Sequence, residues 1–328
     1  MKYQAEFDVA VHAVRRAARV CMSVQKTLGQ SALRKEDRSP VTVADFGSQA
    51  VVCHALQEAF PHDPVIGEED SAVLRLPENK SVLDKVTTEV AQVLPGATHE
   101  SVCAWIDRGT ATGYTERFWT LDPIDGTKGF LRCDQYVVAL ALIMDGRITV
   151  AAMACPDLPC DAQGGNEKGA VFAAHRGEGA FQAPLHDTGD TVWQSIRVRT
   201  VATGAQARLC EPFESNHGSR RDVAAVATHL GVEAASLRID SQAKYGVLAR
   251  GDADIYLRLT ARSGYIENIW DHAAGALIVE EAGGMVTDMA GRPLDFRCGA
   301  QLERNMGIVA TNGLLHDVVL EALADATG

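Results

Sequence analysis

Residues 119–130 read WTLDPIDGTKGF, with Asp122 and Asp125 three positions apart across Pro123 and followed by Gly126, Thr127 and Lys128. The preceding RFWTL has the apolar, aromatic character of a strand, so the stretch delivers two carboxylates from a strand into a turn. Asp, Pro and Gly each favour turns for separate reasons, and taken alone these residues fit a plain surface turn. The choice between turn and chemistry rests on the rest of the chain.

Other acids stand at comparable places. Glu68-Glu69-Asp70 follows the short apolar run PVIG, Asp271 stands at the start of the expected helix WDHAAGA, and Asp45 opens an expected helix at ADFGSQA. Each has an ordinary explanation: a solvated acidic loop for GEED, and a helix N-cap for Asp271 or Asp45. Together they point elsewhere, because like charges are unfavourable to gather unless a cation compensates them. An oxygen-only set with no Cys/His spacing suits Mg²⁺ better than zinc. Asp122, Asp125 and the Ile124 carbonyl between them can face one site, with Asp125 bridging two ions. The N–H groups of Gly126 and Thr127, at the start of a following helix, suit a phosphate.

Composition narrows the setting. The chain has 328 residues, 46% hydrophobic and 23% charged, ordinary for a globular protein of about two domains. A formal net charge of −12 argues against nucleic-acid backbones and anionic membranes as partners. Eight scattered cysteines without a CxxC pair read as buried thiols of a reducing compartment. The opening MKYQAEFDVAVHAVRR lacks the apolar run of a secretory signal, and no stretch reaches a membrane-spanning length, so the expected location is cytoplasmic.

Periodicity predicts helices over about residues 4–28, over 44–60 with Val51, Val52, Ala55, Leu56 and Ala59 inward, and over 81–94 with a stripe of Val82, Val86, Val90 and Val93. YVVALALIMDGRITVAAMA reads as a hairpin turning at Asp145-Gly146, and GAVFAAHRGEGAF as a second hairpin. Further on, strands are expected near 196–199, 207–213 and at ADIYLRL, and helices near 221–230 and 242–250. A helix through IWDHAAGALIVEEAGG should close at Gly283-Gly284, followed by strands GMVTD and GIVAT and a helix from Thr311. The pattern is mixed α and β. It divides into an N-terminal α+β domain of residues 1–155, carrying most of the acids, and a C-terminal α/β domain of residues 156–328, carrying Asp271.

In order and together, Glu68-Glu69, Asp122 to Thr127 and Trp270 to Gly275 resemble the inositol monophosphatase superfamily of Mg²⁺-dependent, lithium-sensitive phosphatases. SPVTVADFGSQA, FWTLDPIDGTKGFLRCDQYVVALALI, DSQAKYGVLARGDADIYLRL and IWDHAAGALIVEEAGG are similar to its branch of 3′(2′),5′-bisphosphate nucleotidases, over about residues 39–311. The resemblance implies a layered α/β/α/β/α sandwich, two or three Mg²⁺ ions, and a monomer. The implied reaction is hydrolysis of adenosine 3′,5′-bisphosphate to AMP and phosphate by a metal-activated water, with action on 3′-phosphoadenosine 5′-phosphosulfate as well. It assigns the metal ions to Glu68, Asp122, the Ile124 carbonyl, Asp125 and Asp271. Asp45 and Thr127 match the pair that orients and deprotonates water, and Gly126 and Thr127 cradle the scissile phosphate. Lys244 and Arg258, with His217 and Ser241, match the anchors of the 5′-phosphate.

Without the resemblance, Lys244 reads as a solvated helix lysine, Arg258 as a strand-edge charge and His217 as a loop histidine. Tyr245 could stack on adenine, although a tyrosine at that helical position is usually core. Cys133 stands where the branch commonly has glycine. Two other functions compete: a phosphatase of inositol phosphates on the same fold, and a metal or nucleotide sensor that has lost catalysis. Paired cations for a second phosphate argue against the first, and the complete set of acids against the second.

Overall fold

In the computed structural model, which describes residues 2–30, 39–160, 168–186, 191–213, 217–259 and 265–327, the chain forms two mixed sheets separated and flanked by helices. Helices α1 (Gln4–Gln30) and α2 (Ser39–Ala59) come first, then β1 (Val65–Gly67), α3 (Lys80–Ala91) and α4 (His99–Asp107). Six strands follow: β2 (Arg117–Asp125), β3 (Val137–Met144), β4 (Arg147–Pro159), β5 (Lys168–His175), β6 (Gly179–Pro184) and β7 (Gln194–Ile196). Among the described residues, one short helix, α5 (Thr127–Leu131), interrupts them after β2. β1 to β7 pair in sequence order as one sheet, parallel only between β1 and β2.

The second sheet has the order β11-β12-β10-β8-β9, built from β8 (Leu209–Glu211), β9 (Leu237–Arg238), β10 (Ile255–Arg258), β11 (Met285–Thr287) and β12 (Ile308–Thr311). Around it lie α6 (His217–His229), α7 (Ala243–Ala249), α8 (Ala273–Glu281) and α9 (His316–Thr327).

Three apolar clusters show how the layers stack. On one face of the first sheet, Trp119, Leu121, Val138, Leu140 and Leu142 pack on α1 to α4. On its other face, Phe118, Val137, Ala139, Ala141 and Ile143 pack on α7 and α8, whose far sides meet Tyr256, Val286, Ile308 and Ala310 of the second sheet. The outer face of that sheet, with Leu209, Leu257 and Val309, is covered by α6 and α9. The order is therefore helices, sheet, helices, sheet, helices, as expected. A strand buried on both faces reads as a continuous apolar run, which is why β3 is VVALALIM with no polar alternation.

Asp145 and Gly146 make the β3–β4 turn with φ of 51° and 75°, the paired positive values of a type I′ hairpin. Several boundaries moved. α2 begins five residues before the expected 44, since Pro40 is tolerated in a first helical turn. In α3, Leu83, Val86 and Val90 are buried, while Val82 and Val93 are only half-buried. α4 was not expected; its marker is a capping box in which Thr98 and Ser101 satisfy each other's backbone N–H groups. The strand expected at 196–199 lies at 194–196, and the final helix starts at His316 rather than Thr311. The boundary expected at residues 155–156 falls inside β4, because the first sheet continues to Ile196; a division by sheets falls between Ile196 and Leu209.

α7 and α8 cross closely enough that a Cβ on Gly275 would lie 2.1 Å from the Tyr245 ring. This glycine of the WDHAAG stretch serves packing. Gly275→Ala is expected to destabilise the fold by about 1–3 kcal/mol, as overpacked cores do. The check is thermal unfolding, and an unchanged midpoint would contradict the close crossing.

Candidate active site

The site begins at a defect in the first sheet. β2 pairs with β3 in register to Asp122, opposite Ala139, and resumes at Asp125, opposite Val137, so one extra residue bulges out between them. A bulge re-aims side chains, and Ser48 of α2 holds this one by donating a 2.8 Å hydrogen bond to the Pro123 carbonyl. Ile124, between the two aspartates, is anchored with its side chain in the core shared with α1 and α2. Gly126 follows with φ of 90°, and a Cβ there would lie 2.7 Å from Ser241, so both conformation and space require glycine. Thr127 then starts α5 on the solvent side.

The other acids arrive from three elements. Glu68 and Glu69 follow β1, and Gln49 of α2 clamps them: its Oε1 accepts from the Glu69 N–H at 3.1 Å and its Nε2 donates to the Glu69 carbonyl and, at 3.0 Å, to that of Ile106. Asp45 lies four residues before Gln49 on the same helix. It does not open α2 as expected; α2 starts at Ser39, and Asp45 is buried in its second turn. Asp271 likewise does not cap a helix. It ends a 3₁₀ turn, Ile269–Asp271, ahead of α8, and no side-chain capping bond is made there. Gln242 joins the halves: its N–H donates to an Asp125 carboxylate oxygen and its Nε2 donates to the Trp270 carbonyl at 2.9 Å.

These acids act on one another electrostatically. Burial, then Glu69 and Glu68, push Asp45 well above the usual carboxylate range. Burial followed by Asp125, Glu68, Asp271 and Asp45 does the same to Asp122. Glu68 is pushed up to about 7 by burial, with Glu69, Asp271 and Asp125 adding to it. Asp125 is raised by burial and Asp271 but opposed by Lys244 and Arg258. One Asp122 oxygen, Oδ1, is buried with no hydrogen-bond partner. A buried, unpartnered carboxylate oxygen among four other acids is the donor arrangement a hard divalent cation satisfies.

Beside these acids opens a cleft of about 480 Å³, lined by Asp125, Gly126, Thr127, Ser241, Lys244, Arg258 and Asp271 among others. Ser241 has a φ of 65° and is buried, accepting from the Ala243 N–H at 3.3 Å. Lys244 is not a solvated helix lysine: it is 6% exposed, its Nζ donates to the Ser241 carbonyl at 2.6 Å, and it lies 5.2 Å from the centre of the Tyr256 ring. Burial lowers its pKa. Arg258 is bound by two carboxylates, Glu267 at 2.8 Å and Asp271 at 2.9 Å. Glu267, Asp271 and His272 have ligand atoms within 4.8 Å of one another. That trio is nonetheless compensated from within, because Arg258 sits on both acids.

His217 opens α6, and its side chain lies outside the described residues. Tyr245 is fully buried and hydrogen-bonds His272, so it belongs to the core and not to the cleft. Cys133 is exposed with φ of 56°, the left-handed conformation that glycine adopts without strain. Sequence reasoning missed Gln49, Gln242 and Glu267. Only Gln49 carried a signal, a polar residue one turn from Asp45 on the buried side of a helix.

A model of the inositol monophosphatase family matches residues 2–327. A 3′(2′),5′-bisphosphate nucleotidase of Schizosaccharomyces pombe is 42% identical over 345 residues, covering 100% of this chain and 97% of that protein. One of Oryza sativa is 43% identical over 343 residues, covering 99% and 95%. Among solved structures, an inositol monophosphatase from Anabaena superposes with a TM-score of 0.64 at 22% identity, covering 99% of this chain and 97% of that one. CysQ from Bacteroides thetaiotaomicron, a bacterial member of that family, does so at 0.60 with 20% identity, covering 94% and 98%. These two share its fold.

The acids make the metal-free protein sensitive to pH. Between the ordinary carboxylate range and about 7, folded Glu68 keeps a proton that the unfolded chain has released, so stability falls as pH rises through that window. In chelator, the melting temperature is expected to be lower at about pH 8 than at about pH 6, and Mg²⁺ should raise it more at the higher pH. Asp122→Asn relieves the repulsion, so it should raise the melting temperature in chelator and shrink the gain from Mg²⁺. Melting curves insensitive to both pH and Mg²⁺ would contradict a shared cation site.

Proposed function

The chain belongs to the inositol monophosphatase family, and we propose that it is the phosphatase that removes the 3′-phosphate from adenosine 3′,5′-bisphosphate, leaving AMP. The nucleotidases it matches along its whole length support a nucleotide substrate. The observation that carries the reading is the pairing of opposite charges in one cleft. Asp125 and Asp271 line it together with Lys244 and Arg258, in a volume suited to a small nucleotide. A substrate with one phosphate over the acids and a second over the cations uses both.

Glu68, Asp122, Asp125, Asp271 and the Ile124 carbonyl would hold Mg²⁺, which supplies charge neutralisation and Lewis-acid polarisation for phosphoryl transfer. The chain's own residues supply the rest. Asp45, whose proton affinity is raised by burial and by Glu69 and Glu68, would accept the proton of the attacking water at its carboxylate. The Thr127 hydroxyl, at the cleft wall, orients that water. The Gly126 and Thr127 N–H groups hold the scissile phosphate. Lys244, Arg258 and Ser241 hold the 5′-phosphate, or the phosphosulfate group of 3′-phosphoadenosine 5′-phosphosulfate. Lys244 needs no long-range reach for this, because its buried stem already fixes the ammonium at the cleft.

The test is phosphate release from adenosine 3′,5′-bisphosphate, inositol 1-phosphate and inositol 1,4-bisphosphate, with and without Mg²⁺. A strong Mg²⁺-dependent preference for the nucleotide is expected. Lys244→Ala should raise its KM about tenfold or more, the scale of one charge-assisted contact. Preference for an inositol phosphate would overturn the substrate, and no turnover of any would overturn the enzyme.

A further inference from the structure

Behind the cleft wall runs a chain of buried polar groups that the reading above does not use. Tyr245, fully buried, hydrogen-bonds His272 Nδ1 at 2.8 Å. His272 Nε2 meets Glu267 Oε2 at 3.1 Å, and the same oxygen meets Arg258 Nη2 at 2.8 Å. Burial and neighbouring Tyr256 keep the Tyr245 phenol protonated. His272 and Arg258 keep the Glu267 carboxylate ionised despite burial.

Each member is fixed in place. The Tyr245 ring stacks edge-on against Tyr256 with centroids 5.1 Å apart, and Gly275 closes against its face. The Glu267 carbonyl accepts from the Leu302 N–H at 2.8 Å, tying its backbone to the segment that also anchors Ile269 through the Ala300 carbonyl. Glu267, His272 and Tyr245 are not among the residues lining the cleft, whereas Arg258 is.

We infer that Glu267, held by His272 and Tyr245, is a positioning residue that aims Arg258 at the second phosphate of the substrate. This inference rests on the nucleotidase reading. Arg258 Nη2 is shared between two carboxylates, Glu267 and Asp271, and Asp271 stands among the acids that would hold a cation. Once Asp271 is engaged there, Glu267 is the carboxylate that keeps the guanidinium on the cleft wall. Without the Glu267 charge, Asp271 is the carboxylate still paired with Arg258, which is drawn toward the acids and away from the second phosphate.

The experiment compares adenosine 3′,5′-bisphosphate with 3′-AMP, which lacks the second phosphate, in the wild type, Glu267→Gln and Glu267→Asp. It adds calorimetric binding of AMP to the chelator-treated protein, which needs no turnover. For Glu267→Gln, the preference for the bisphosphate in kcat/KM is expected to fall about tenfold or more, mostly through KM, and AMP binding should weaken in parallel. Glu267→Asp, which keeps the charge, should recover part of both. A merely structural role would lower turnover of both substrates alike and leave the ratio where it was, which overturns the inference. A wild type that does not prefer the bisphosphate over 3′-AMP would instead overturn the second-phosphate reading on which it rests. If Glu267→Gln does not fold, Tyr245→Phe decides. It removes one hydroxyl from the outer end of the chain, and an unchanged preference there sinks the relay, while a drop of about threefold supports it.

Discussion

Five carboxylates that repel one another are held together at the end of the first sheet, and most of the polar architecture around them exists to keep them there. Asp45, Glu68, Asp122, Asp125 and Asp271 come from α2, the loop after β1, the β2 bulge and the turn before α8, so no single element brings them together. Burial and neighbouring carboxylates raise the proton affinity of Asp45, Glu68, Asp122 and Asp125, which is unfavourable for the charged forms in a buried place. Among the described residues, the repulsion is opposed by Lys244 and Arg258 near Asp125, the ion pair of Arg258 with Asp271, a backbone N–H on Asp125, and the polar clamps of Gln49 and Gln242. The deficit of positive charge that remains, expressed most plainly in the unpartnered Asp122 oxygen, is what makes a cation the natural completion of this site.

The layering explains why the deficit can be sustained. Helices on both sides of the first sheet and a second sheet beyond them bury nearly all of β3 and β4, and the apolar gain is spread over three clusters away from the acids. Against such a frame a locally unfavourable group of charges is tolerable, and its geometry is rigid because its supports are core residues. Gly275 illustrates the link. It sits four residues after Asp271, carries no chemistry, and sets how closely α8 approaches Tyr245 and therefore His272.

The acid site and the cationic wall are not independent. Asp125 touches the start of α7 through Gln242, and Asp271 shares Arg258 with Glu267. Residues of the first sheet and of the segments around the second thus meet along one seam, where the cleft opens. In the proposed reading a ligand carrying two anionic groups would bridge that seam, with Lys244 and Arg258 offsetting locally a net charge of −12.

Much of this was legible in the order of residues. The acids at Glu68, Asp122, Asp125 and Asp271, the strand-to-turn character of WTLDPIDG, the Asp145-Gly146 hairpin and the Gly283 helix stop are local features, encoded in neighbouring side chains and in the φ that Gly and Asp allow. Local rules failed where distant parts of the chain decide. Asp45 and Asp271 read as helix caps because capping is the commonest local use of aspartate, yet both are turned into a shared site by elements far away in sequence. Lys244 read as a solvated lysine because its burial depends on Ser241, Tyr256 and the cleft between sheets. The sheet continuing past residue 155, the role of Gln242 and the Tyr245–His272–Glu267–Arg258 chain belong to tertiary structure alone. A hydrogen bond between residues 27 positions apart, or between strands paired across a whole domain, leaves no periodic mark on the sequence, whereas turn chemistry and strand burial do.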